Sequence, residues 1–171
     1  MGLLDLLLGK PQQIDVTPAP LSSPMPQVAI DEVRNGRLPK LKTTKIILKQ
    51  AESLHWYDPA VLTVEKIKKQ YVRHSGGTSF KGLFGMRHYT GNGTTDVIER
   101  PTVQQFPGVL YITNKRVLFH APNGSFDKPL SGLSAINPYA NAIDLQFNTK
   151  TYRLYVPNGG IIADVINLVT Q

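Results

Sequence analysis

Cysteine is missing from this 171-residue chain, which removes disulfides, thiolate nucleophiles and cysteine-rich zinc sites and fits a reducing compartment. Long apolar runs are missing too. The leucine cluster of Met1-Gly-Leu-Leu-Asp-Leu-Leu-Leu-Gly-Lys10 stops at Leu8 and carries Asp5 inside it, well short of the roughly 18–20 residues a membrane-spanning helix needs. That end has no basic residue ahead of its leucines and no small-residue cleavage site, so it does not read as a signal peptide. Leu6 stands where a myristoylation motif wants Ser or Thr. Acidic residues are scarce, 12 against 19 Lys and Arg, for a net charge of +7. The expectation is a cytoplasmic protein able to sit peripherally at the inner membrane face.

Signatures of catalysis are equally thin. The stretch Ser75-Gly-Gly-Thr-Ser-Phe-Lys-Gly-Leu-Phe-Gly85 lacks the Gly-x-x-x-x-Gly-Lys-Ser/Thr order of a phosphate loop and reads as a hairpin loop. His55, His74, His88 and His120 have no i, i+4 spacing on a helix of the kind that holds zinc. There is no Gly-x-Ser-x-Gly elbow, and Asp58, Asp96, Asp127 and Asp144 form no recognisable acid/base pair. No enzyme, no cofactor and no metal are therefore expected.

What is present suits one domain with trimmings. Hydrophobic residues make up 41% of the chain, including seven Tyr and six Phe, enough for a packed core without disulfides. Leu3, Leu4, Leu7 and Leu8 repeat at helical spacing within residues 1–10, closed by Gly9 and Pro11. Residues 11–27 carry Pro11, Pro18, Pro20, Pro24 and Pro26 and read as a linker. Residues 28–171 form the domain with an N-terminal extension. Within it, 29–35 predicts a short helix ended by Gly36. Strand-like patterns follow at 45–49, 61–64, 66–74, 82–89, 96–104, 109–113, 117–121, 125–128, 134–139, 143–147 and 151–156. Turns are predicted at Ser75-Gly-Gly77, Gly91-Asn-Gly93, Pro107-Gly108, Pro122-Asn-Gly124 and Asn148-Thr-Lys150. After Gly159-Gly160 an apolar helix, with Ile161, Ile162, Val165, Ile166, Leu168 and Val169, is expected to be largely buried.

The run Gly108-Val-Leu-Tyr-Ile-Thr-Asn-Lys-Arg-Val-Leu-Phe119 resembles the central hairpin of bacterial pleckstrin-homology-like domains related to the GRAM group. Arg37-Leu-Pro39 and Leu48-Lys-Gln-Ala-Glu-Ser-Leu-His-Trp56 add to the likeness, the family tending to have Gly where this chain has Ala51. The resemblance covers about 36–170. It implies a mainly β fold: a pleckstrin-homology-like β-barrel or orthogonal sandwich with a C-terminal capping helix, on a scaffold that binds lipids, peptides or proteins. The residues themselves place Leu110 and Ile112 on one face of a hairpin with Val117 and Phe119 opposite. Asn114 can take a left-handed turn conformation, and Lys115 with Arg116 reads as a solvated hairpin tip, a phosphate contact being the lesser alternative.

Function has to be read from charge and pattern. The nearest analogue of the phosphoinositide-binding pattern of pleckstrin-homology domains is Lys69, Arg73, Lys81 and Arg87, which with Lys66 and Lys68 form the candidate anion- or lipid-binding set. Leu3, Leu4, Leu7 and Leu8 form the candidate membrane or partner contact. The leading expectation is a non-catalytic adaptor of bacterial or phage type that engages a protein partner, with an anionic membrane surface as the secondary candidate. The alternative is sequence-tolerant nucleic-acid binding through the basic segment 34–87, with Trp56-Tyr57 as a stacking platform, although Trp56 fits core packing better. A hydrolase is a distant third.

Overall fold

The computed structural model describes residues 17–43, 45–81 and 87–171, by their backbone alone at 67, 68, 70, 72–81 and 87–101. The leucine-rich segment 1–10, with Leu3, Leu4, Leu7 and Leu8, lies outside the described residues. The elements are helix α1 (Gln27–Arg34), strands β1 (Leu54–Lys81), β2 (Arg87–Thr113), β3 (Arg116–His120) and β4 (Phe126–Pro129), a 3-10 turn (Leu130–Gly132), strands β5 (Leu133–Pro138), β6 (Ala142–Phe147) and β7 (Lys150–Tyr155), and helix α2 (Gly159–Thr170). The strands make one seven-stranded antiparallel sheet in the order β4-β3-β2-β1-β7-β6-β5.

Two compact units divide the chain: one up to Val64 and again from Gln105 to Gln171, the other Glu65–Gln104. Among the described residues, the first holds helices α1 and α2 and the core. Leu110 pairs with Phe119 and Ile112 with Val117 across the β2–β3 hairpin, and all four side chains are buried, so alternate residues of these strands face one apolar interior. Helix α2 begins where the Asn158 side chain accepts a hydrogen bond from the Ile161 N–H at 3.2 Å, a normal N-cap. Its Ile162, Val165 and Ile166 are fully buried, each contributing about 1.5–3 kcal/mol of burial. Met25, Ala29 and Val33, in and before α1, join the same core.

The second unit is a two-stranded ribbon formed by the far part of β1 and the near part of β2. The Thr102 hydroxyl donates to the Lys66 carbonyl at 2.9 Å. Three of the predicted turns do not occur, because Ser75-Gly-Gly77, Gly91-Asn-Gly93 and Pro107-Gly108 all lie inside β1 or β2. At Gly108 a Cβ would come 2.3 Å from the His120 carbonyl oxygen, so the glycine allows β2 to approach β3. Residues 75–81 of the expected hairpin loop are strand, while 82–86 lie outside the described residues.

The run 45–49 is also not a strand. Its only described neighbouring pairing is a bridge between Leu41 and Leu54. Among the described residues the left-handed non-glycine positions are Ala51, at φ 56°, and Asn148, at φ 53°. Asn148 turns the β6–β7 hairpin as expected, but Asn114 does not adopt that conformation.

Candidate functional site

The segment from Arg37 to Ala51 contains Arg37, Lys40, Lys42, Lys45 and Lys49 and no carboxylate. All five cations are exposed. With so little regular structure of its own, the segment is held by side chains of the β2–β3 hairpin. The Arg116 guanidinium donates through Nε to Glu52 Oε1 at 2.7 Å, and through one terminal nitrogen to Glu52 Oε2 at 3.1 Å and to the Ile47 carbonyl at 2.7 Å. Its other terminal nitrogen pairs with Asp127. Thr113 adds a hydroxyl to Glu52 Oε1 at 2.7 Å, and the Lys49 N–H reaches Glu52 Oε2 at 2.6 Å.

Asn114 completes the clasp. Its side-chain oxygen accepts from the Ser53 N–H at 2.8 Å and its amide donates to the Ala51 carbonyl at 3.1 Å, while Lys115 Nζ donates to the Gln50 carbonyl at 2.6 Å. Asn114 and Lys115 are exposed at the hairpin tip, as expected, but Arg116 is not a solvated charge. Arg116 is buried because a guanidinium with five donors can satisfy a buried carboxylate and a carbonyl together. Burial pushes the Glu52 carboxyl up, but hydrogen bonds from Arg116, the Lys49 N–H and Thr113, with the charge of Arg116, outweigh it and hold it down at about 2.

Beneath the clasped segment lies an open groove of about 630 Å³, lined by Leu41, Lys42, Thr43, Lys45, Leu48, Tyr57 and Tyr111. The two tyrosine rings stack with centroids 6.2 Å apart. Burial, and then proximity to Tyr57, push the Tyr111 phenol above its ordinary value, so it stays protonated. Ile47 on the same segment is 90% exposed, with its carbonyl pinned by Arg116. The arrangement offers an aromatic and aliphatic floor, two ammonium groups at the rim and a projecting aliphatic side chain.

A second depression, of about 290 Å³, lies beside Asp58 and includes Ser23, Arg34, Trp56 and Asn158. Asp58 is buried and accepts hydrogen bonds from Trp56 Nε1 at 2.7 Å and from the Ser23 hydroxyl. Desolvation raises its pKa, and those two hydrogen bonds oppose the rise. Trp56 is 1% exposed, which removes it as a stacking platform for bases. His55 is likewise buried, with Nδ1 2.8 Å from the Pro39 carbonyl.

The basic residues singled out from the sequence fall on the ribbon. Lys66, Lys68, Lys69, Arg73 and Lys81 belong to β1 and Arg87 to β2. Lys66 and Lys69 are exposed; the other four side chains are outside the described set. Lys42 and Lys45, which line the groove, were legible only as part of the basic segment 34–87. The chain matches no protein-family model and no curated protein.

Proposed function

We propose that this chain is a non-catalytic adaptor module of bacterial or phage type, built on a pleckstrin-homology-like barrel, that engages a protein partner. The observation carrying this reading is the clasped segment: five exposed cations and an exposed Ile47 on a backbone fixed from below by the buried Glu52–Arg116 pair. Fixing such a segment in advance lowers the ordering cost of binding. The barrel reading is supported by topology. The two edge strands, β4 and β5, are consecutive in the chain and separated only by Leu130–Gly132, a link short enough to require the sheet to curl. Apolar helix α2 then suits the role of a cap.

The ribbon supports a second contact. A two-stranded hairpin is marginal in water by itself, and this one exposes Lys66, Lys69 and Tyr71, groups suited to an anionic membrane surface. The test is to pass extract of the source cell over the immobilised full chain, in parallel with sedimentation of the chain with phosphatidylserine-containing and neutral vesicles. A stoichiometric protein partner supports the leading reading. Sedimentation with anionic vesicles alone, weakened by deleting residues 1–9 or neutralising Lys66, Lys68, Lys69 and Arg73, favours the membrane. Retention of nucleic acid alone, with steep salt dependence, overturns both.

A further inference from the structure

We infer that the groove under the clasped segment is the docking site for a short acidic peptide segment of the partner that carries a bulky apolar side chain. This rests on the reading of the chain as a protein-binding module and names the chemistry of what it binds. The groove volume of about 630 Å³ lies in the range of sites that bury a ligand-sized group, roughly 300–1,000 Å³. Leu41, Leu48 and the stacked Tyr57 and Tyr111 rings supply the apolar floor. Lys42 and Lys45 stand exposed at the rim.

Charge selects the occupant. From Arg37 to Ala51 there are five cations and no carboxylate, and the nearest acidic residue along the chain after them, Glu52, is consumed by Arg116, Thr113 and the Lys49 N–H. A basic or neutral peptide gains nothing at this rim and an acidic one is both steered and held. A purely polar acidic segment would leave the tyrosine and leucine floor uncovered, so an apolar residue between the carboxylates completes the fit. Tyr57, half-buried at the groove, has a phenol able to hydrogen-bond the peptide backbone, while Tyr111 is buried. Arg116 fixes the Ile47 carbonyl, which keeps the groove wall in place and positions Ile47 to contact residues flanking the anchor.

The test uses the full chain, isotopically labelled, with acetylated Glu-Glu-Leu-Phe-Glu-Glu as probe and two controls, Lys-Lys-Leu-Phe-Lys-Lys and Glu-Glu-Gly-Ser-Glu-Glu. The expected result is movement of the Leu41, Leu48, Tyr57 and Tyr111 resonances by the first peptide only. The Lys42→Glu and Lys45→Glu double variant, folded as judged by an unchanged melting curve, should weaken binding by roughly tenfold or more. The proposal is overturned if the acidic apolar probe does not bind, if its shifts lie elsewhere, if either control binds equally, or if the double variant binds as well as the parent. A natural partner retained equally by parent and double variant would sink the groove and leave the adaptor reading standing. An adaptor that retains no partner at all would sink that reading by itself.

Discussion

Arg116 and Glu52 are 64 residues apart in sequence, yet the Arg116 guanidinium contacts both Glu52 carboxylate oxygens, at 2.7 and 3.1 Å. Around this pair the Lys-rich segment is tied to the β2–β3 hairpin. Removing Arg116 leaves Glu52 buried without its cation, so Arg116→Met should cost about 3–5 kcal/mol. Glu52→Gln combined with Arg116→Met should cost less than the two single losses added, since each single change strands the other partner. Urea denaturation of the four proteins checks this, and strict additivity would contradict it.

Acid should loosen the same clasp. The folded-state pKa of Glu52 is held at about 2, below its ordinary 4.5, so its contribution is full above the ordinary value and is lost as pH falls through the folded one. The urea midpoint should fall from pH 5 toward pH 2, and Glu52→Gln should flatten that part of the profile.

Asp58 should act with the opposite sign. Burial raises its folded-state pKa, so the neutral acid favours folding and stability declines as pH rises through that value. Asp58→Asn removes the decline, and its advantage over the parent should be larger at pH 7 than at pH 4. Asp58→Ala leaves Trp56 Nε1 without its acceptor and should cost about 1–3 kcal/mol. Calorimetry across the pH range reads both.

Ala51 holds a left-handed backbone at φ 56°, a conformation that costs an L-residue about 1–2 kcal/mol and glycine little. Ala51→Gly should therefore stabilise the fold by about 1 kcal/mol after the larger chain entropy of glycine is deducted. A lower melting temperature would show that the Ala51 methyl makes a contact worth more than the strain.

The core makes a blunter demand. Leu110 and Phe119 face one another at 0% and 1% exposure, so Asp at either place buries an unpaired charge at a cost of several kcal/mol. Circular dichroism should report loss of cooperative unfolding.

Elements whose signal is local were legible in the sequence. The β2–β3 pairing follows from alternation of Leu110, Ile112, Val117 and Phe119, and α2 from its apolar run after Gly159-Gly160. The helix near 29–35 falls within two residues of Gln27–Arg34. Contacts between distant side chains left no such trace. Neither Glu52–Arg116 nor Ser23–Asp58 has a periodicity to betray it, so the sequence pattern alone makes Arg116 a surface charge and gives no sign of the groove. Ile46 and Ile47 gave 45–49 a strand-like pattern, but side-chain hydrogen bonds rather than a ladder hold that segment. The glycines at 75–77 and 91–93 read as turns because local chemistry cannot show that two long strands will run past them.

The central claim is that this chain binds a protein through its clasped, Lys-rich face. Its most direct test is to compare partner retention from source-cell extract by the parent, by Lys42→Glu with Lys45→Glu, and by neutralisation of Lys66, Lys68, Lys69 and Arg73, with vesicle sedimentation run alongside. The account predicts a stoichiometric partner, lost with the groove variant and kept with the ribbon variant. Retention that survives the groove variant but disappears with the ribbon variant would contradict it.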